Sequence, residues 1–296
     1  MPNNQPQQGS STGAGTQNSQ ALALVHDGFI NVITSTPSTG QMAQTFICSN
    51  MDMAGVTNTY YMKVYASDKQ VINEMVGYML AKERGLNVAN KAYLLEIGTI
   101  TKALIDNFYA FNSNGIKNAG WHNNTKYAFI ISEAPGLTIS SYSSDLIKQT
   151  KFFKRRIEAW NKNNMLIAFD EWIANTDRNA GNLIFGQNVI YVIDHGSSPV
   201  KMDWTLSNLV ADQCYDNIHM SNCMQFLGKN SRPVDNELQD QATFHADTLN
   251  KAKTNVVNLI SNTVSMNNEY AHMIDFLERR AISKRTAPFV NMFGAR

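Results

Sequence analysis

Apolar positions along the chain follow a period of two through the first half and a period between three and four through most of the second, and the changes of period outline the elements. Alternating, β-rich stretches over 29–34, 44–49, 59–65, 88–95 and 127–131 predict strands. Ser67-Asp-Lys-Gln70 has the form of a capping box, with Ile72, Met75, Val76, Met79 and Leu80 following at helical spacing. Lys82, Arg84 and then Gly85 close that pattern, which predicts a helix over about 68–84. Ile157, Trp160, Met165, Ala168 and Trp172 predict a second helix over 154–175, with both tryptophans as core anchors. Two further amphipathic helices are predicted over 238–260 and 270–281. A β-rich first half before a helical second half predicts an α+β architecture with a cleft between two lobes.

Between the predicted helices lies a short hairpin. Its strands, 183–185 and 189–193, flank the three-residue loop Gly186-Gln187-Asn188. Pairing of 185 with 189 would bring Asn182 and Asp194 to the open end, close to Asp177. Two carboxylates and an amide at one mouth can hold Mg²⁺, which takes hard oxygen ligands and adds substrate phosphates. The same spacing suits phosphoryl transfer, with one Asp for the attacking hydroxyl and an Asn and a second Asp for metal. The bland alternative is a metal-free polar corner. Upstream, Lys63 interrupts the apolar and aromatic strand Thr59-Tyr-Tyr-Met-Lys63-Val-Tyr65. A buried lysine needs a partner or a ligand, and Glu74 on the following helix is the candidate. Snorkelling on an edge strand is the alternative for Lys63, and an exposed helix carboxylate for Glu74.

Asp177-Arg-Asn-x-x-Asn182 followed by Ile193-Asp194-His-Gly196 resembles the catalytic and metal-binding loops of the protein-kinase-like fold, in the form found in HipA-like kinases. The resemblance implies a two-lobed fold with a β-rich N-lobe over 21–133 and a mainly helical C-lobe over 134–296. It implies Asp177 as the catalytic Asp, Asn182 and Asp194 as Mg²⁺ ligands, and Lys63, paired with Glu74, as the grip on the ATP phosphates. A hinge after the 127–131 strand would present the backbone of Ile131, Glu133 and Ala134 to the adenine edge. The polar turn 35–41 falls where kinases cover the phosphates. It lacks G-x-G-x-x-G and has only Gly40, with the Ser38 and Thr39 hydroxyls as further phosphate contacts. Ser35, Thr36, Ser38 and Thr39 are candidate self-phosphorylation targets, and a plain hairpin loop is the alternative. His195 stands where ordinary protein kinases carry Phe. Arg178 has three candidate partners: a phosphate, Asp170, or the metal-site carboxylates.

The function implied is an ATP- and Mg²⁺-dependent kinase acting on Ser or Thr of a protein, possibly the chain itself, with an antitoxin or regulatory partner suggested by kinship. Asn175-Thr-Asp-Arg with Ile-Asp194-x-Gly is also similar to type II phosphatidylinositol 4-kinases. A phosphoinositide kinase is therefore one rival, and a non-catalytic nucleotide-binding protein is the other.

Composition removes some classes. A formal net charge of +1 over 296 residues gives no pull toward nucleic acid or anionic membrane. Residues 1–20 carry no charged side chain and little to bury, so disorder is expected, and they lack the layout of a secretory signal. No apolar run reaches bilayer length, so a cytoplasmic protein is expected, with export into a host cytoplasm left open. Three cysteines, Cys48, Cys214 and Cys223, form no metal or disulfide pattern, and His219, His245 and His272 form no H-x-x-x-H pair. Arg279, Arg280, Lys284, Arg285 and Arg296 make a basic end, read as a solvated helix terminus.

Overall fold

The computed structural model describes residues 22–37, 43–112, 125–261 and 267–282. The 1–20 tail, Ser38, Thr39 and Gly40 of the phosphate turn, all but the first residue of the polar 112–124 stretch, and Lys284, Arg285 and Arg296 lie outside the described residues.

Strands β1 (Ala23–Val25), β2 (Val32–Ser35), β3 (Gln44–Met51), β4 (Thr57–Val64), β5 (Ala92–Glu96) and β6 (Tyr127–Ser132) form one sheet in the order β1-β5-β6-β4-β3-β2. Every pairing in it is antiparallel except β1 with β5. Helix α1 (Asp68–Glu83) covers one face and α2 (Thr99–Phe111) the other. Alternation along the strands sorts side chains between two cores. Tyr60, Met62 and Val64 of β4 join Ala128 and Ile130 of β6 beneath α2, with Ile105 and Phe108. Phe129 and Ile131 face the other way and join α1 in the core that continues into the helical half. Burying each large aliphatic side chain contributes about 1.5–3 kcal/mol, so both faces resist separation from their helices.

The rest of the chain is α3 (Ile139–Tyr142), α4 (Leu146–Glu158), α5 (Asn163–Trp172), the hairpin β7 (Leu183–Phe185) and β8 (Ile190–Val192), then α6 (Ile218–Phe226), α7 (Asp235–Ala242), α8 (His245–Ser261) and α9 (Asn267–Ile282). Trp172 is fully buried and donates from its indole to the Leu277 carbonyl at 3.0 Å; Trp160 is also buried, so both act as anchors. Cys48 and Cys223 are buried as thiols, and burial pushes both up to about 12. Arg280 of the basic end is buried against Glu171 at 2.7 Å, and Arg279 pairs with Asp275 one turn earlier. Among the described residues no helix is long and apolar enough to cross a membrane.

Several boundaries differ from expectation for identifiable reasons. The single helix expected over 154–175 is two, α4 and α5, broken at 159–162, where Lys162 leaves the helical track to donate to the Gly85 carbonyl (2.7 Å) and Asn87 (3.1 Å). The helix expected over 238–260 is likewise split. The Thr243 hydroxyl turns back on the Asp240 carbonyl, and Arg84 lies 4.8 Å over the Phe244 ring. The 88–95 strand shortens to Ala92–Glu96 because Tyr78 and Val192 occupy the Ala89 and Asn87 carbonyls. The 29–34 strand starts later, at Val32. The capping box is half present: Gln70 accepts from the Ala66 N–H, and the Ser67 side chain caps nothing. In the hairpin, Phe185 pairs with Ile190, so the connection is one residue longer than predicted.

Three histidines are buried and held neutral. Burial, and next the charge of nearby arginines, pushes His219 and His245 down to about 3 and His195 well below 6.5. The unfolded chain takes up protons at these imidazoles near pH 6.5, whereas the folded chain does not until far lower pH. Stability at these sites is therefore full above about pH 6.5 and falls as pH drops toward 3. Each site adds about 1.4 kcal/mol per pH unit to that slope. His245 stacks on Trp172 at 4.6 Å, so His245→Phe keeps the ring contact. It is expected to remove one proton's worth of slope between pH 6 and 4 in urea unfolding; an unchanged slope would contradict the assignment.

Candidate active site

The alternation that sends Tyr60, Met62 and Val64 beneath α2 turns Tyr61 and Lys63 toward the cleft on the other face. Lys63 donates from Nζ to Glu74 Oε1 at 3.0 Å and lies 3.4 Å from Asp194 Oδ1. Glu74, 1% exposed on α1, accepts on its second oxygen from Tyr65 Oη (3.3 Å) and the His195 N–H (2.8 Å). Burial alone would depress the Lys63 pKa, but Asp194 and then Glu74 hold it above its ordinary value. Burial raises Glu74 and Lys63 only partly offsets this, so its carboxyl sits above the usual range. Asp194, 43% exposed toward the cleft, is held below that range: desolvation opposes this, and Lys63 and Arg178 override it. Lys63 is thus a cation fixed between two carboxylates, as the sequence pairing with Glu74 anticipated.

Helix α5 ends at Trp172 and delivers the loop. Asn175 donates to Asp170 Oδ1 (3.2 Å) and accepts from the Asp177 N–H (3.2 Å), so the loop is tied to the helix that carries it. Asp177 accepts from Asn179 Nδ2 at 3.2 Å, and its carbonyl accepts from Asn182 Nδ2 at 2.7 Å. The Ile193 N–H donates to the Asn182 carbonyl (3.1 Å), which brings Asp177, Asn182 and Asp194 to the open end of the hairpin despite the altered register.

Arg178 chooses among its candidate partners. Fully buried, it binds Asp170 through Nε (3.1 Å), donates from Nη1 to the carbonyls of Ile193 and Asp194, and from Nη2 to His195 Nδ1 (2.9 Å). A guanidinium only donates, so His195 Nδ1 accepts and its proton is on Nε2. These bonds hold Asp194 at φ +62°, a left-handed conformation that costs a non-glycine residue on the order of 1 kcal/mol or more. A second strap crosses nearby. Val200 N–H donates to the Ala174 carbonyl, Thr176 Oγ1 to the Val200 carbonyl and Ser198 Oγ to the Ile173 carbonyl, each at 2.7 Å, with Ala174 and Val200 also left-handed.

These groups line a cleft of about 1090 Å³ between the sheet and the helical half. That is the upper end of the usual range for small-molecule sites, enough for a nucleotide with an acceptor group beside it. Lys63, Glu74, Asp177, Asn182 and Asp194 line it, as do Ile131, Glu133 and Ala134 at the end of β6. Gly40, Ser38 and Thr39 lie outside the described residues, and their neighbour Pro37 reaches the cleft wall. The donor set fits Mg²⁺. Asn182 uses its amide nitrogen on Asp177, which leaves its oxygen, and Asp194 offers a carboxylate. One or two protein oxygen ligands completed by substrate phosphates is the usual Mg²⁺ arrangement. Among the described residues no cluster of three or more His, Cys, Asp or Glu could hold a metal by itself.

Comparison with known proteins bears on this constellation. The family model described as HipA-like kinase matches residues 30–232, about two thirds of the chain and every charged residue just described. The chain belongs to the HipA-like kinase family. Among solved structures it is similar to the Helicobacter pylori proinflammatory kinase CtkA, with 13% identity, 90% of this chain and 97% of that one covered, and a TM-score of 0.47. It is also similar to a chain of the Shewanella oneidensis MR-1 toxin–antitoxin complex of HipA, HipB and operator DNA, with 12% identity, 85% and 65% covered, and a TM-score of 0.38. No curated protein sequence matches.

Sequence reasoning missed several residues of this HipA-like kinase that hold the site. Tyr65 and the His195 N–H fix Glu74, and Asn73 donates to the carbonyls of Gly196 (3.3 Å) and Met202 (3.1 Å) while accepting from Trp204 Nε1 (3.0 Å). Gly77 lets α1 approach the loop. A Cβ there would stand 2.3 Å from His195 Cβ. At an open helical site Gly→Ala gains about 1 kcal/mol. Here Gly77→Ala is expected to destabilise by about 1–3 kcal/mol through overpacking. Urea unfolding checks this, and a stabilised variant would show that the helix and loop are not in contact.

Proposed function

We propose that this HipA-like kinase transfers the γ-phosphate of ATP, with Mg²⁺, to a Ser or Thr hydroxyl of a protein. The observation that carries the reading is Lys63 held between Glu74 and Asp194 in the cleft that Asp177 and Asn182 also line. We place the lobe boundary at residues 133 and 134, where β6 gives way to the helical half, so that the cleft lies between lobes 21–133 and 134–296.

In this reading Lys63 binds the α- and β-phosphates, and Glu74 keeps its ammonium aimed along β4. Asn182 and Asp194 would hold Mg²⁺, which supplies charge neutralisation on the phosphate oxygens when bound. Asp177 accepts a hydrogen bond from the acceptor hydroxyl, orients it and takes its proton as the bond to phosphorus forms. Asn179, on the Asp177 carboxylate, fixes which oxygen faces that hydroxyl. Backbone groups of Ile131–Ala134 meet the base edge. The chain's own Ser35, Thr36, Ser38 and Thr39 are the first acceptors to test, since Pro37 among them reaches the cleft.

Intact mass after incubation with ATP and Mg²⁺, alone and with a mixed protein substrate, tests the reading. Wild type should transfer phosphate, and Asp177→Ala should lower turnover by on the order of 10²–10⁴-fold. Asp194→Ala should also weaken Mg²⁺-dependent nucleotide binding. Phosphorylation of phosphoinositide vesicles with none on protein would move the acceptor from protein to lipid. ATP binding with no transfer to any acceptor would replace the enzyme with a nucleotide-sensing protein.

A further inference from the structure

Strand β4 carries a ruler. Residues two apart share a face and stand about 7 Å apart along the strand. Lys63 marks the phosphate end of the cleft, and Tyr61 lines the same cleft one such step toward β6 and the chain that follows it. Tyr61 pairs with Ile131 on one side and Ile47 on the other, so its ring sits over the segment where a base edge would meet backbone. Its hydroxyl donates to Glu133 Oε1 at 3.5 Å. From the opposite side of the cleft, Ile184 and Ile193 of the hairpin region present apolar side chains.

An aromatic residue that only fills a core is enclosed, as Tyr60 is, 2% exposed on the other face. Tyr61 packs against the core with part of its surface left open to the cleft. An open aromatic face above two aliphatic side chains is a slot for a flat group with apolar faces and polar edges, which describes a nucleobase.

We infer that Tyr61 is the stacking platform for the nucleobase, steadied by the bond from its hydroxyl to Glu133, with Ile184 and Ile193 closing the opposite side. The inference rests on the nucleotide reading above and adds to it a base-recognising residue two positions before the phosphate lysine. Stacking contributes through the ring and is indifferent to the phosphates. The two ends of the ligand therefore respond to different substitutions.

The test is titration calorimetry with Mg²⁺-ATP and, separately, with inorganic tripolyphosphate and Mg²⁺, on wild type, Tyr61→Leu, Tyr61→Trp and Tyr61→Phe. Tyr61→Leu is expected to weaken ATP by about 10–100-fold, the factor one base–aromatic stack commands, and to leave tripolyphosphate unchanged. Tyr61→Trp should retain ATP, which guards against a Leu variant that fails to fold, and Tyr61→Phe should lose only a few-fold. Wild type and Tyr61→Leu binding ATP alike would overturn the inference and leave the proposed function standing. Equal losses for ATP and tripolyphosphate, or a Trp variant as weak as Leu, would also overturn it. Wild type binding no ATP would overturn both readings.

Discussion

An ammonium group inside a sheet has to be compensated, and much of this molecule is arranged around that requirement. Desolvating Lys63 alone would cost several kcal/mol. The chain answers with a carboxylate from α1 and another from the loop after β8, so the sheet, the helix and the hairpin are drawn to one point. That answer creates a second problem, because two carboxylates now face one cation. Arg178 answers it from below, lowering the Asp194 pKa while its own charge is taken up by buried Asp170. Breaking any member of such a set strands the others, whereas the intact set is close to neutral.

The same layout accounts for the buried neutral imidazole of His195. Between two cations it has no reason to take a proton, and it serves Arg178 as an acceptor. A phenylalanine at that position could fill the volume but could not receive the guanidinium N–H. The left-handed backbone of Asp194 belongs to the same economy of space: the turn lets one residue offer its carbonyl to Arg178 and its carboxylate to Lys63.

How much of this was legible in the sequence depended on whether the cause was local. The hairpin and its polar flanks were readable because short-range spacing alone places Asn182 and Asp194 together, and a one-residue error in the turn left that outcome intact. Lys63 with Glu74 was readable because a lysine in an apolar strand demands an acid. Helix α2 was not, since its N-terminus is capped by Asp27 from 73 positions away. Strand β1 was missed for a similar reason: three residues acquire strand character only by parallel pairing with β5. The breaks in the two long helices came from Lys162 and Arg84 reaching distant partners, which no helical periodicity records. The choice of Asp170 by Arg178 needed the depth of burial, and Gly77 reads as an ordinary helical glycine until His195 is seen against it.

Asn73, Glu74 and Gly77 occupy one face of α1 within little more than a turn, and each is engaged by the 195–204 segment. Hydrogen bonds hold the first two, and hard-core contact holds the third. The helix and that segment therefore move as one body. A partner that sought to silence the protein by levering α1 outward would have to tear the segment out with it. Leverage exists instead at the joints on either side of the sheet, around 65–67 and 133–137. Tilting the sheet there would carry Lys63 away from both carboxylates without disturbing how the carboxylates are held. The on and off positions of this molecule are thus set by the angle of a sheet over a rigid floor.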